Sequence, residues 1–142
     1  MTIFADASAL IAIIAGEDDA DTLADALESD QTRLCSALSV WETMAGLRKS
    51  YALSVSAARA RIQLFLEVGG LHFVTMGEQE WIIAAEAYAR FGKGRHPAAL
   101  NMGDCFAYAC AKSNRARLLY KGDDFRQTDL AWDPGSINAP GS

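Results

Sequence analysis

The sequence predicts one α/β domain built on a mainly parallel sheet, and three observations predict it. The chain has 142 residues, within the range of about 100–200 that one domain usually takes. Short apolar stretches alternate with longer segments of helical period, the order that βα units require. Capping residues and glycines fall between those segments, where helices start and stop. Hydrophobic residues make up 51% and charged residues 22%, with 11 Gly and 3 Pro, which excludes a disordered or collagenous chain. A chain of this length buries roughly 68–70% of its unfolded surface, so it needs no disulfide or metal merely to fold.

The elements follow in order. Thr2–Ala5 reads as a buried first strand, and Ser8–Ala15 as an almost wholly apolar helix packed in the core. Residues 18–30 form a second helical segment with Leu23, Ala24 and Leu27 on one stripe and acids elsewhere. Thr32–Ser36 is a second strand. Ser39–Lys49 is a helix that starts on Ser39 and ends on Arg48 and Lys49, the order that the helix dipole favours. Residues 55–68 are helical until Gly69 and Gly70 stop them, and Leu71–Thr75 is a third strand. Glu78–Phe91 is a helix with Trp81, Ile82, Ala85 and Tyr88 on one face. Residues 92–101 are a loop, Met102–Ser113 a helix and Arg117–Tyr120 an apolar strand. Asp123–Leu130 is a turn or short helix, and from Asp133 a tail rich in Pro, Gly and Ser is expected to fray.

Composition narrows the function. The longest apolar runs, Ala9–Ala15 and Cys105–Ala111, fall far short of the ~18 residues that span a bilayer. Residues 1–16 contain no Lys or Arg, so no signal peptide is expected. Cys35, Cys105 and Cys110 form no CxxC pair, and the histidines are His72 and His96. That pattern argues against a zinc site and for reduced thiols in a cytoplasmic protein. The net charge is −5, but seven acids lie within residues 17–30; the remaining 11 of the 18 acids face 13 basic residues. Net charge therefore does not settle the partner.

In parallel sheets, ligands gather beyond the carboxyl ends of the strands. Four acids fall at such places: Asp6 after the first strand, Glu42 in the first turn of the helix after the second, Asp104 at a helix start, and Asp123 after the last strand. Each has a structural reading. Asp6 or Ser8 caps a helix, Ser39 with Glu42 fits a capping box, Asp104 suits a helix dipole, and Lys121–Asp124 reads as a turn. Their combination argues for chemistry. Gathered carboxylates repel one another and lose hydration, so such a site needs cations. Oxygen-rich, His-poor ligation suits Mg²⁺ or Mn²⁺, ions that activate water and polarise phosphates.

The segments IFADASALIAII, SALSVWETMAGLRK, HPAALNMGDCFAYACAK and RLLYKGDDFRQTDL resemble the PIN-domain ribonucleases, in particular VapC-type toxins. The resemblance spans nearly the whole chain. It implies a three-layer α/β/α sandwich over residues 1–132, with residues 133–142 as a loosely ordered tail. It implies a Mg²⁺ or Mn²⁺ site on Asp6, Glu42, Asp104 and Asp123, with Ser8 supporting the first acid or a metal-bound water and Asn101 orienting the site. The last motif is shorter than in many relatives, so Asp124 competes with Asp123; Asp123 is preferred because it comes first after Gly122. Lys121 is placed to screen the acids or contact a phosphate. The resemblance further implies an RNA substrate, a VapB-like antitoxin partner that blocks the site, and a homodimer.

RNA needs a cationic approach, for which Arg48 and Lys49, Arg90–Lys93–Arg95, and Lys112, Arg115 and Arg117 are candidates. Trp41, Tyr51 and Tyr88 have the shape to stack bases, but the apolar helix faces that carry Trp41 and Tyr88 predict core packing for those two. Two other functions remain open at this point. A haloacid-dehalogenase-like phosphatase wants Asp-x-Asp after the first strand, where this chain has Asp6 and Ser8. A regulatory binding module would keep the acidic pocket with little turnover.

Overall fold

The structure is a computed structural model that describes residues 1–131; position 132 and the tail expected over 133–142 lie outside the described residues. Four strands, β1 (Thr2–Ala5), β2 (Thr32–Cys35), β3 (Leu71–Phe73) and β4 (Arg117–Leu119), form one sheet in the order β3-β2-β1-β4. All three pairings are parallel: Phe4 lies beside Leu34 and Leu118, and Leu34 beside His72. Six helices connect them: α1 (Ala7–Ala15), α2 (Ala20–Glu28), α3 (Ala37–Tyr51), α4 (Val55–Gly69), α5 (Glu78–Phe91) and α6 (Met102–Ser113). Residues 123–130 form turns.

Consecutive strand residues point to opposite faces, and Ile3, Phe4 and Ala5 are all 0% exposed. Both faces of β1 are therefore covered, which is the expected three-layer arrangement. The main core joins these residues to Leu10, Leu23, Leu27, Phe91, Ala109 and Leu118, and a smaller cluster of Leu47, Ala58 and Ile62 ties α3 to α4. At the outer end of the sheet Asp30, almost fully buried, pairs with Arg117 at 2.8 Å and links α2 to β4.

Two local expectations are corrected. The helix after β2 begins at Ala37, with Ser36 as its N-cap and Ser36–Ser39 as the capping box. Ser36 N–H donates to Ser39 Oγ and Ser39 N–H to Ser36 Oγ, both at 3.0 Å. Glu42 therefore sits in the second turn and is not a capping residue. In α5 the core face is Ala84, Ala87 and Phe91, while Trp81 and Tyr88 are 62% and 44% exposed. Trp41 on α3 is likewise exposed rather than packed in the core.

Candidate active site

The acids are assembled by the strand ends. Asp6 continues β1 in extended conformation, and its N–H donates to Leu119 O at 2.9 Å, extending the β1–β4 ladder by one bond. Its side chain caps α1: Oδ2 accepts Ser8 N–H at 3.1 Å and the Ser8 hydroxyl at 2.6 Å. Ser8 Oγ in turn accepts Lys121 N–H at 3.0 Å. A backbone amide just after β4 thus holds the hydroxyl that donates to the Asp6 carboxylate.

Asp104 is held from the other side. It is the third residue of α6 and forms a capping box with Asn101: Asp104 N–H donates to Asn101 Oδ1 at 2.9 Å, and Asn101 N–H donates to Asp104 Oδ2 at 3.1 Å. Glu42 reaches across from α3 to the start of α6, where its carboxylate packs against Gly103; a Cβ on Gly103 would lie 2.6 Å from Glu42 Cδ. Real Cβ atoms do not approach that closely, so glycine makes the space that Glu42 fills.

The electrostatics join these acids into one group. Burial pushes the Asp6 carboxyl up, against the Ser8 bonds, and the Asp124 charge adds to the rise. Burial and then Asp6 raise Glu42. Asp104 is pushed up to about 7, chiefly by burial; the Asn101 amide opposes this, and the carboxylates of Asp6, Asp124 and Glu42 add to it. Asp6, Glu42 and Asp104 are therefore all raised at the carboxyl edge of the sheet, and the Asp124 charge acts on Asp6 and Asp104.

Of the two candidate acids after β4, it is Asp124 whose charge acts on Asp6 and Asp104. The Asp123 side chain is 89% exposed and pairs with Arg126 at 3.2 Å. Gly122 has a left-handed φ of 99°, and Phe125 after the pair is buried. Lys121 does not screen the acids. Its ammonium pairs with Glu17 at 2.5 Å and Asp19 at 3.1 Å in the α1–α2 connection, and Tyr51 OH donates to the same Glu17. Two of the basic candidates also serve the fold: Lys112 pairs with Asp129, and Arg117 with Asp30.

The donor set suits a hard divalent cation. It is all oxygen, it contains no His or Cys, and its members penalise one another's ionisation, which a cation would relieve. Among the described residues no three His, Cys, Asp or Glu side chains already form a ligating set; the acids share a field rather than a point. No thiol competes for the chemistry. Cys35, Cys105 and Cys110 are buried and unpaired, and burial pushes them up to about 12, 11 and 12, which keeps them as inert thiols.

A parallel α/β domain with an acidic cluster at its carboxyl edge defines a class of protein, and comparison identifies the family. Residues 3–130 match the PIN domain family. The chain is 39% identical over 126 residues to a ribonuclease VapC of Mycolicibacterium smegmatis, covering 89% of this chain and 95% of that one. It is 37% identical to ribonuclease VapC30 of Mycobacterium tuberculosis, with 89% and 94% covered. It is also 37% identical over 139 residues to a VapC ribonuclease of Rhizobium meliloti, with 89% and 98% covered. A solved toxin–antitoxin complex from Klebsiella pneumoniae contains a chain of the same fold, with a TM-score of 0.69 at 19% identity over 96% of this chain and all of that one. The chain belongs to the PIN-domain family, among its VapC proteins. Membership sets aside the dehalogenase-like phosphatase.

Proposed function

We propose that this protein is an endoribonuclease that hydrolyses RNA phosphodiester bonds with the help of Mg²⁺ or Mn²⁺. The observation that carries the proposal is the meeting of Asp6, Glu42, Asp104 and Asp124, drawn from four places in the sequence, in one electrostatic field. The VapC relatives are named as ribonucleases, which supports the same reading.

In this mechanism Asp6, Asp104 and Glu42 would hold the cation, with Asp124 in preference to Asp123 completing the set. When bound, the ion activates water and stabilises charge on the scissile phosphate and leaving oxygen. Ser8 keeps Asp6 in one rotamer, and Asn101 does the same for Asp104, so the site does not have to reorganise when charge develops. In the absence of a cation, Asp104 holds a proton near neutrality. No side chain acts as the nucleophile. An in-line displacement by water leaves a 5′-phosphate and a 3′-hydroxyl.

We further propose a toxin role under a cognate VapB-like antitoxin, supported by the names of the relatives and by the toxin–antitoxin complex that shares the fold. Buried, unpaired thiols fit a reducing cytoplasm, and among the described residues no helix is long and apolar enough to cross a membrane. A homodimer is part of the same proposal.

The test is incubation of the purified protein with mixed RNA in Mn²⁺. Cleavage that is lost in Asp104→Asn and in EDTA is the expected result. Tight binding of a partner with no cleavage of any RNA would favour the binding module instead.

A further inference from the structure

We propose that Tyr108 is a positioning residue of the acid site: by holding Asp129 it fixes the turn segment that carries Asp124, and so keeps that carboxylate beside Asp6 and Asp104. This deepens the nuclease reading and rests on it. Three observations carry the proposal. The first is a row of side chains on α6. Asp104, Tyr108 and Lys112 are spaced four residues apart on this helix, so they lie one above the next along one side of it. The Asp124 charge acts on Asp104 at the start of the row. At the middle of the row Tyr108 OH donates to Asp129 Oδ1 at 2.8 Å, and at its end the Lys112 ammonium pairs with Asp129 Oδ2. Asp124 and Asp129, five residues apart, thus face the same helix.

The second observation is the nature of the bond. Tyr108 is buried, and burial, followed by the bond to Asp129, pushes its phenol up to about 12. Burial raises the Asp129 carboxyl, but the bonds from Lys112 and Tyr108 outweigh it and hold the group below its ordinary value. The donor therefore stays protonated and the acceptor ionised, which makes the bond charge-assisted and strong.

The third observation is how the segment is built. Residues 122–130 are turns and bends. Phe125, next to Asp124, is buried and packs its ring against Tyr120 with centroids 5.2 Å apart. That contact fixes one point and leaves rotation about it. Thr128 Oγ1 donates to Phe125 O at 2.8 Å and accepts Leu130 N–H at 3.2 Å, so the chain from Phe125 to Leu130 moves as one piece. Asp129 lies within that piece, and Tyr108 supplies its second fixed point. A second point is needed because, beside burial, the Asp124 charge raises both Asp6 and Asp104. Like charges push the segment away from the site, and the Tyr108 bond opposes that push.

The test uses the full chain in EDTA at pH 8 and follows hydrogen–deuterium exchange of the amides in residues 121–131. Tyr108→Phe should speed exchange there about tenfold or more, the loss of one bond to a charged group, while α4 keeps its wild-type rates. Asp129→Ala, which removes the other partner, should do the same. Adding Asp124→Asn to Tyr108→Phe should bring most of the protection back, because the repulsion is gone. Wild-type exchange in either single variant overturns the proposal. So does fast exchange that Asp124→Asn leaves as it is, the result expected of a merely structural tie. Cleavage gives a second readout: Tyr108→Phe should lower it about fivefold or more in wild type and cost nothing further in Asp124→Asn, as coupled residues do. Losses that multiply overturn the positioning role. Circular dichroism of each variant checks the fold. A wild type that cleaves no RNA removes the nuclease reading, while exchange still decides whether Tyr108 holds the segment of Asp124.

Discussion

The Glu42 carboxylate occupies the space that a side chain on Gly103 would need. Helix α6 begins one residue earlier, so alanine at 103 would ordinarily stabilise the helix by up to about 1 kcal/mol. Here the overlap reverses that sign. Gly103→Ala should displace Glu42, lower RNA cleavage at least about tenfold, or about 1.4 kcal/mol, and lower the melting temperature. Adding Glu42→Ala to Gly103→Ala should recover the melting temperature but not the activity. Differential scanning fluorimetry and a cleavage assay on the single and double variants test this coupling.

Asp124, rather than Asp123, shares the field of Asp6 and Asp104. Asp124→Asn should cut cleavage by about tenfold or more, one step in the loss of transition-state stabilisation. Asp123→Asn removes only an exposed pair with Arg126, so its activity and stability should stay near wild type. Equal loss in the two variants would contradict the assignment.

Asp104 sets a pH dependence of stability in the ion-free protein. Its folded value of about 7 stands above its ordinary 3.8, so the folded protein binds this proton more tightly than the unfolded chain. The stability linked to it is full below about pH 3.8 and is lost as pH rises through about 7. In EDTA, the melting temperature of wild type should therefore fall more from pH 5.5 to pH 8 than that of Asp104→Asn. Parallel curves for the two proteins would contradict the account.

Ser8 and Lys121 should separate. Ser8→Ala removes a hydroxyl bond to a buried carboxylate, and hydrogen bonds to charged groups are worth about 1.5–3 kcal/mol. Cleavage should fall about tenfold or more. Lys121→Ala keeps the backbone N–H that holds Ser8 and loses only the half-exposed pairs with Glu17 and Asp19, which are worth at most about 1 kcal/mol. Its activity should stay within about threefold of wild type, and its small stability loss should shrink in high salt.

The strands and helices were readable because each carries its own period and stop signals. Gly70, with a left-handed φ of 65°, ends α4 where the sequence said it would, and Glu78–Phe91 and Met102–Ser113 match residue for residue. Where signals overlap, local sequence does not choose between them. Ser36–Ser39 and Ser39–Glu42 have the same three-residue spacing, and the end of β2 at Cys35 selects the first. In α5 two apolar stripes compete, Ala84–Ala87–Phe91 and Trp81–Tyr88. Helix α6 takes the smaller residues, because close helix packing favours them, and period alone does not rank the two. At the site, Asp6, Glu42 and Asp104 could be named from their places after strands and at a helix start. Asp124 could not be chosen over Asp123, because side-chain direction beyond Gly122 depends on a left-handed turn. The seat of Glu42 on Gly103 joins residues far apart in the chain and has no local sequence signal.

The central claim is that separated acids form one site for a hard divalent cation. The most direct test is Mn²⁺ titration of the purified protein at pH 7.5, with free ion followed by electron paramagnetic resonance. Wild type and Asp123→Asn should take up Mn²⁺ with similar affinity, while Asp6→Asn, Asp104→Asn and Asp124→Asn should each weaken it by about tenfold or more. Uptake that is absent in wild type, or unchanged by all three substitutions, would contradict the account.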